Sequence, residues 1–315
     1  MELIRGIHAA PACAKGCVVT IGTYDGLHLG HQALIGRLTA HAARLGLPSV
    51  LLTFEPMPRE YFAPNDPPAR LTTLRERLAI LRSTGLNYTW LLRFGEGLRN
   101  LSGQAFAEFL ARDLRARLVV VGHDFRFGKD GAASAAMLAA AGERLGFEVD
   151  VLPPVMQGAE RISSSAVRAA LLGADFGRAR RLLGRPYSMR ARVAHGERLG
   201  RELGFPTANL PLGRRRSPLA GIFAVRVHGA VAGALPGVAS LGTRPTIGGT
   251  EALLEAHVFD FSADLYGREI EVEFAAKLRD EERFATLAAL TAQMQRDASE
   301  ARRILGALRD IEGPD

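Results

Sequence analysis

Between Val18 and Leu152 short apolar runs alternate with longer stretches of helical spacing, and nothing else in the chain restricts its fold as much. Val18–Gly22, Ser49–Phe54, Tyr88–Phe94, Leu118–Gly122 and Phe147–Leu152 read as buried strands. Leu29–Leu45, Leu74–Arg82, Gln104–Leu114 and Ala132–Leu145 carry the helical period, and a loop with Pro56, Pro58, Pro64, Pro67 and Pro68 interrupts the series. Strands separated by helices of that length need crossover connections, so the expectation is a doubly wound α/β domain on a parallel sheet.

After Pro186 the texture changes. Arg192–Ala194, Ile222–His228, Val238–Leu241, Leu254–Phe261 and Glu269–Phe274 are short β-branched or aromatic runs punctuated by Gly and Pro. That pattern suits an antiparallel barrel or sandwich, closed by one helical segment, Leu287–Leu308. A length of 315 residues fits two domains, expected at 1–185 and 186–315.

No apolar run approaches the ~18 residues of a membrane span, and the N-terminus lacks the apolar segment of a secretion signal. Cys13 and Cys17 are the only cysteines, which gives no disulfide framework and fits a reducing, cytoplasmic setting. The net charge of +7 is scattered, with one dense run at Arg214–Arg216. Scattered basic residues are usually solvated surface, and the single Trp and 7% aromatic content offer little for stacking nucleic-acid bases. Neither nucleic acid nor membrane is an expected partner, and oligomeric state is not legible from these features.

The most informative stretch is Gly22-Thr23-Tyr24-Asp25-Gly26-Leu27-His28-Leu29-Gly30-His31. A strand delivers a glycine-bearing turn and a helix begins near Leu29, which puts His28 and His31 on one face of its first turn. A helix N-terminus favours phosphate, and two imidazoles there can donate to charge developing on an α-phosphate. A His-x-x-His pair alone is more often an ordinary capping or surface pair. The strand–glycine–turn context makes Gly22, Tyr24, Asp25, His28 and His31 candidates for an ATP site, and it resembles the signature of the nucleotidyltransferase superfamily.

Downstream, Arg161-Ile162-Ser163-Ser164-Ser165-Ala166-Val167-Arg168 sets hydroxyls at a helix start between two arginines. Serine caps helices as a matter of course. With Arg161 and Arg168, however, Ser163 and Ser164 also form a good triphosphate clamp.

Three other patterns fail. Cys13, Cys17, His28 and His31 imitate a zinc finger, but a buried strand and a glycine turn separate the pairs. Gly122–Lys129 has five residues before Gly128-Lys129, and Asp130 follows where a P-loop needs Ser or Thr. Gly196, Gly200 and Gly204 do not have the dinucleotide-fold spacing.

Several segments together resemble bacterial bifunctional riboflavin kinase/FAD synthetase. They are Thr53-Phe54-Glu55-Pro56, Val121-Gly122-His123-Asp124-Phe125-Arg126-Phe127-Gly128 and the Arg161–Arg168 motif. Leu203-Gly204-Phe205-Pro206-Thr207-Ala208-Asn209-Leu210, Gly242-Thr243-Arg244-Pro245-Thr246 and Phe259-Asp260-Phe261 complete the set. The resemblance runs in order along nearly the whole chain. It implies phosphorylation of riboflavin to FMN and adenylylation of FMN to FAD, with ATP, riboflavin and FMN as partners and Mg²⁺ carried with ATP.

By the same resemblance Thr207 and Asn209 hold the metal and phosphates, with Gly204 and Pro206 at the nucleotide. Glu255 is the base on the riboflavin 5′-hydroxyl. Phe54, Asp124, Phe127 and Arg279 contact flavin. The run Gly196–Gly204 would cover the nucleotide.

The chain departs from the family pattern at Thr23, Tyr24, Met57, Ser240 and the Lys129–Ala133 loop, which bears on adenylylation efficiency. Two alternatives are a kinase-only enzyme with a vestigial N-terminal domain, against which intact His28 and His31 argue, and an RNA-binding or RNA-modifying protein on the same core.

Overall fold

The computed structural model describes residues 1–7, 13–196, 200, 203–213, 216–246 and 249–312. Arg214 and Arg215 of the basic run, and residues 197–199, 201 and 202 of the glycine-bearing run, lie outside the described residues, as do the side chains of 243–246. Two compact units emerge: residues 1–68 with 77–164, and residues 69–76 with 165–315.

The first unit is built on β1 (Glu2–Arg5), β2 (Cys17–Ile21), β3 (Ser49–Glu55), β4 (Tyr88–Arg93), β5 (Ala116–Gly122) and β8 (Glu148–Leu152). Two small hairpins intervene, β6 (Arg126–Phe127) with β7 (Ala133–Ser134), and β9 (Met156–Gln157) with β10 (Glu160–Arg161). The six main strands are all parallel, in the order β1-β4-β3-β2-β5-β8. Every residue of β2 is buried, as befits a strand covered on both faces.

Helices α1 (Leu29–Leu45), α5 (Gly103–Arg112) and α6 (Ala135–Leu145) make long crossovers, while α2 (Pro58–Phe62), α3 (Leu74–Leu81) and α4 (Glu96–Arg99) are shorter. One core packs Val19, Ile21, Val50, Leu52 and Trp90 against Phe106, Leu110 and Leu138. The chain winds one way from β2 to β4 and returns to the other side of β2 with β5. The topological switch point therefore falls between the carboxyl ends of β2 and β5, where doubly wound sheets bind ligands.

Besides residues 69–76, the second unit holds α7 (Ser164–Leu172) from its second residue onward and α8 (Phe176–Leu183). Six strands follow: β11 (Ser188–Arg192), β12 (Ala208–Pro211), β13 (Gly221–His228), β14 (Ala234–Thr246), β15 (Gly249–Val258) and β16 (Glu269–Arg279). Their order is β11-β16-β13-β14-β15-β12, antiparallel throughout. A bridge from Ala194 N to Asn209 O (2.8 Å) joins the two edges and nearly closes a barrel. Leu210, Phe223, Val225, Leu241, Leu254 and Val272 alternate into its core. Phe176 of α8 stacks on Phe274 (6.3 Å) and meets Phe223 edge-on. The terminal helix α9 (Leu287–Glu312) lays Ala301 and Leu305 on Ala224 and Phe259.

The expected architecture, a doubly wound parallel domain followed by an antiparallel barrel with a terminal helix, is the one found. Some elements escape the periodicity. β1 is a four-residue edge strand that pairs only with β4. β14 runs through Pro236 and Pro245, which as sequence signals shorten it to Val238–Leu241. β12 falls on Ala208–Pro211, at the end of the Leu203–Leu210 motif. Among the described residues no helix is long and apolar enough to cross a membrane.

Candidate active sites

In the first unit the chain leaves β2 at Gly22 into a turn with positive φ at Tyr24 (53°), Gly26 (83°) and Leu27 (46°). Burial of the Tyr24 ring holds this unusual backbone, and its hydroxyl lies 2.7 Å from Thr20 Oγ1. The Tyr24 hydroxyl, at a position where the chain departs from the family pattern, is thus accommodated by a local hydrogen bond. A side chain at Gly22 would press on the Tyr24 ring at 3.2 Å.

The turn ends on His28, the N-cap of α1, whose Nδ1 accepts from His31 N at 3.3 Å. A neutral His28 must then carry its proton on Nε2 and can donate from that atom. The His28 and His31 rings stack at 3.7 Å, and a Cβ at position 30 would meet the His28 ring at 3.2 Å, which explains Gly30. Among the described residues the buried Nδ1 of His31 has no hydrogen-bond partner. Burial, followed by neighbouring His28 and Arg77, holds the His31 ring neutral by pushing its proton affinity well below the ordinary value of 6.5. No carboxylate occupies the first turn of α1. An unpartnered ring nitrogen at such a terminus can offer an anion its N–H when the imidazole proton sits on Nδ1.

Ser164, the first residue of α7, donates from Oγ to Asp25 O (2.9 Å), so the serine motif reaches the histidine turn. Asp25 itself is buried. Arg161 on β10 pairs with Asp124, which follows β5 (2.5 Å). Burial works to raise the Asp124 carboxyl, but the Arg161 guanidinium, with His123 and a backbone hydrogen bond, lowers its proton affinity on balance. Ser163 is half-buried at the start of α7. Arg168, one turn along α7, donates from Nε to Ala69 O (2.6 Å), a contact inside the second unit.

Of the residues expected at flavin in this unit, Phe54 is half-buried and meets Phe94 edge-on at 5.8 Å. Tyr61 and Phe62 pack on the same Phe94 (5.4 and 5.7 Å), and Phe62 is 52% exposed. The sequence reading missed this aromatic group, because its members come from three separate segments. Phe127 is mostly in the core against Phe106, with half-buried Phe125 stacked on it at 5.5 Å. Met57, expected to matter as a departure, is buried and starts α2, its N–H donating to Glu60 Oε2.

In the barrel, strand register lines up Asn209, Glu255, Ser240, Ile222 and Arg279 directly opposite one another across five strands. Directly paired residues share a face. Here it is the half-buried face away from the barrel core, since the neighbours Leu210, Leu254 and Ala256 point inward. Thr207, Glu255, Ser240 and Arg279 line a cavity of about 290 Å³. Ile222, Val238, Phe284, Leu290 and Met294 supply its apolar wall.

Arg279 is fixed by a fork onto buried Asp297 (Nη2–Oδ2 2.7 Å), which raises its proton affinity and keeps it charged. Ser240 donates to Glu281 at 3.2 Å. His257 Nδ1 lies 2.8 Å from Pro206 O, tying the Gly204–Pro206 turn to β15. Among the described residues no group of three His, Cys, Asp or Glu side chains could hold a metal alone. The Thr207 hydroxyl and the Asn209 amide are hard oxygen donors, suited to Mg²⁺ held mainly through nucleotide phosphates.

A family model described as FAD synthetase matches residues 10–166, and one described as riboflavin kinase matches residues 183–305. A bifunctional riboflavin kinase/FMN adenylyltransferase of Escherichia coli K12 is 45% identical over 308 residues, covering 97% of this chain and 98% of that protein. The chain belongs to this bifunctional family. Its homologue from Pseudomonas fluorescens is also 45% identical (96% and 97% covered), and that from Haemophilus influenzae 41% (96% and 98%). A crystal structure described as a macrolide-efflux protein from Streptococcus pneumoniae, 30% identical, matches with a TM-score of 0.77 over 96% of this chain and 99% of that one.

Like the family, the chain is a transferase with two activities: it phosphorylates riboflavin with ATP and adenylylates the resulting FMN to FAD. The histidine turn lies within the FAD synthetase match and the barrel cavity within the riboflavin kinase match. A kinase-only enzyme or an RNA-directed protein is not favoured by that pairing.

Proposed function

We propose that the two reactions run at separate stations, residues 1–185 as the FMN adenylyltransferase domain and residues 186–315 as the riboflavin kinase domain. In the first, ATP lies on the Gly22–His31 turn beside Tyr24 and Asp25. His28 and His31 donate to its α-phosphate, while Arg161, Ser163 and Ser164 hold the departing pyrophosphate. The observation that carries this reading is the partnerless Nδ1 of His31 at the switch-point helix terminus. FMN lies against Phe54 and the aromatic group at Phe94, with Asp124 and the edge of Phe127 on its other side. Its phosphate oxygen attacks the α-phosphorus and pyrophosphate leaves.

In the second station the apolar wall of the cavity takes the flavin ring, and Arg279 borders it. Glu255 accepts the proton of the 5′-hydroxyl as that oxygen attacks the γ-phosphorus and ADP leaves. Gly204 and Pro206 lie at the nucleotide, and Thr207 and Asn209 would hold Mg²⁺. When bound, the metal neutralises phosphate charge. ATP, riboflavin and FMN are the partners, with no nucleic acid and no membrane, and the ATP demand of both steps together with thiols at Cys13 and Cys17 supports a cytoplasmic setting.

A fragment of residues 165–315 tests the division. It keeps the Phe176 contacts with Phe223 and Phe274. It loses the bonds from Tyr187 to Leu71 O and from Arg190 N to Glu76, each worth ~1 kcal/mol. It is expected to fold with a lowered Tm and to convert riboflavin, ATP and Mg²⁺ to FMN, with no FAD on chromatography. FAD from this fragment, or a folded fragment without kinase activity, would refute separate stations.

A further inference from the structure

Arg77 lies on α3 with its side chain fully buried, and its guanidinium is shared among groups from two strand ends. Nη1 donates to Thr23 O (2.6 Å), in the turn that leads to His28 and His31. Nη2 donates to Phe54 O (3.4 Å) and to Glu55 Oε2 (3.1 Å), where β3 runs toward the aromatic group at Phe94. Thr53 Oγ1 reaches the same Thr23 carbonyl at 3.4 Å. Removing a guanidinium from water costs several kcal/mol, and an apolar side chain of similar volume would usually serve stability as well. Its presence therefore calls for a reason besides packing.

We propose that Arg77 is a positioning residue for adenylyl transfer, locking the nucleotide turn and the flavin strand at the separation that in-line attack requires. The inference rests on the placement of ATP at the histidine turn and of FMN at the end of β3. A planar fork is suited to the task, because one rigid group bonds Thr23 and Phe54 at once and cannot let either drift without breaking a charge-assisted bond. Reacting atoms must approach to about 3 Å, and a misplacement of about 1 Å can cost about 100-fold in rate. The charge also bears on the chemistry. It is one of the causes that keep His31 neutral in the free enzyme, so the same positive field faces the α-phosphate when ATP is present.

The test uses the full-length chain as Arg77→Gln and Arg77→Lys, with His31→Ala as comparator and both half-reactions measured on each protein. Gln loses both the charge and the planar fork; Lys keeps the charge and loses the fork. For Arg77→Gln, kcat for FAD formation from FMN is expected to fall about 100-fold, with KM for ATP and FMN changed less than about threefold. The kinase rate should be unchanged, and Arg77→Lys, which keeps the charge but not the fork, should fall between wild type and Arg77→Gln in kcat. Wild-type kcat in Arg77→Gln overturns the proposal, as does a loss carried by KM, or a Lys variant as impaired as Gln. Absence of the first unit's thermal transition in Arg77→Gln would mark a purely structural role and overturn it equally. If His31→Ala spares FAD formation, the underlying site reading fails; if only Arg77→Gln spares it, the positioning role alone fails.

Discussion

Replacing His31 with Ala should abolish FAD formation while FMN still accumulates at close to the wild-type rate. The imidazole sits at the third residue of α1, stacked on His28 and against the Tyr24 ring at 5.0 Å. Its unpartnered Nδ1 is costly to bury unless a ligand uses it. Held neutral in the free enzyme, the ring can take up a proton as the negatively charged triphosphate arrives, and then donate to the charge growing on the α-phosphate. Loss of one such preorganised donor typically costs ~10²–10³ in kcat.

The kinase step should be indifferent, since Thr207, Glu255 and Arg279, proposed to serve it, line a cavity in the other unit. Chromatography of the products of one incubation separates the cases: equal loss of FMN and FAD from a folded variant would defeat the two-station reading. Stability offers a second readout. Because the folded ring resists protonation, the unfolded chain binds the extra proton as pH falls through 6.5. Native stability therefore drops below that pH and is full above it. His31→Ala should show a shallower acid loss in thermal melts.

How much of this was legible beforehand differs between the two units. The winding of the first could be read from its alternating runs, because crossovers leave long, regular signals. The His28–His31 turn was legible for the same reason: strand, glycine turn and helix start lie contiguously in the chain. Arg77 was not. It occupies a helix beside Arg75 and Glu76, where a charged residue ordinarily faces solvent, and only the tertiary fold turns it onto Thr23 and Glu55. The Phe54–Phe94 aromatic group likewise exists only after β3, α2 and the end of β4 converge. In the barrel the resemblance supplied Asn209, Glu255 and Arg279 as separate residues. That they form one rank is a property of register, and register depends on the paired strands rather than on any one of them.

The rank makes Glu255 the most exacting test of the second station. Glu255 stands between Asn209 on β12 and Ser240 on β14, on the half-buried outer face of the barrel and on the wall of the cavity. Phosphoryl transfer to a hydroxyl asks little covalent work of the protein beyond positioning, charge stabilisation and a group to receive the hydroxyl proton. Glu255→Gln keeps the shape and hydrogen-bonding reach of the side chain, so riboflavin and ATP should bind with nearly unchanged affinity. The amide cannot accept the proton, and a lost general base commonly costs ~10²–10⁴ in rate. The expected result is a fall of that size in kcat for FMN formation with KM for riboflavin nearly constant. Supplied with FMN directly, the same full-length protein should make FAD at the wild-type rate, because the histidine turn and the Arg161–Ser164 motif are untouched. If Glu255→Gln phosphorylates riboflavin at the wild-type rate, the proton acceptor is another group, and the cavity serves binding rather than catalysis at this position.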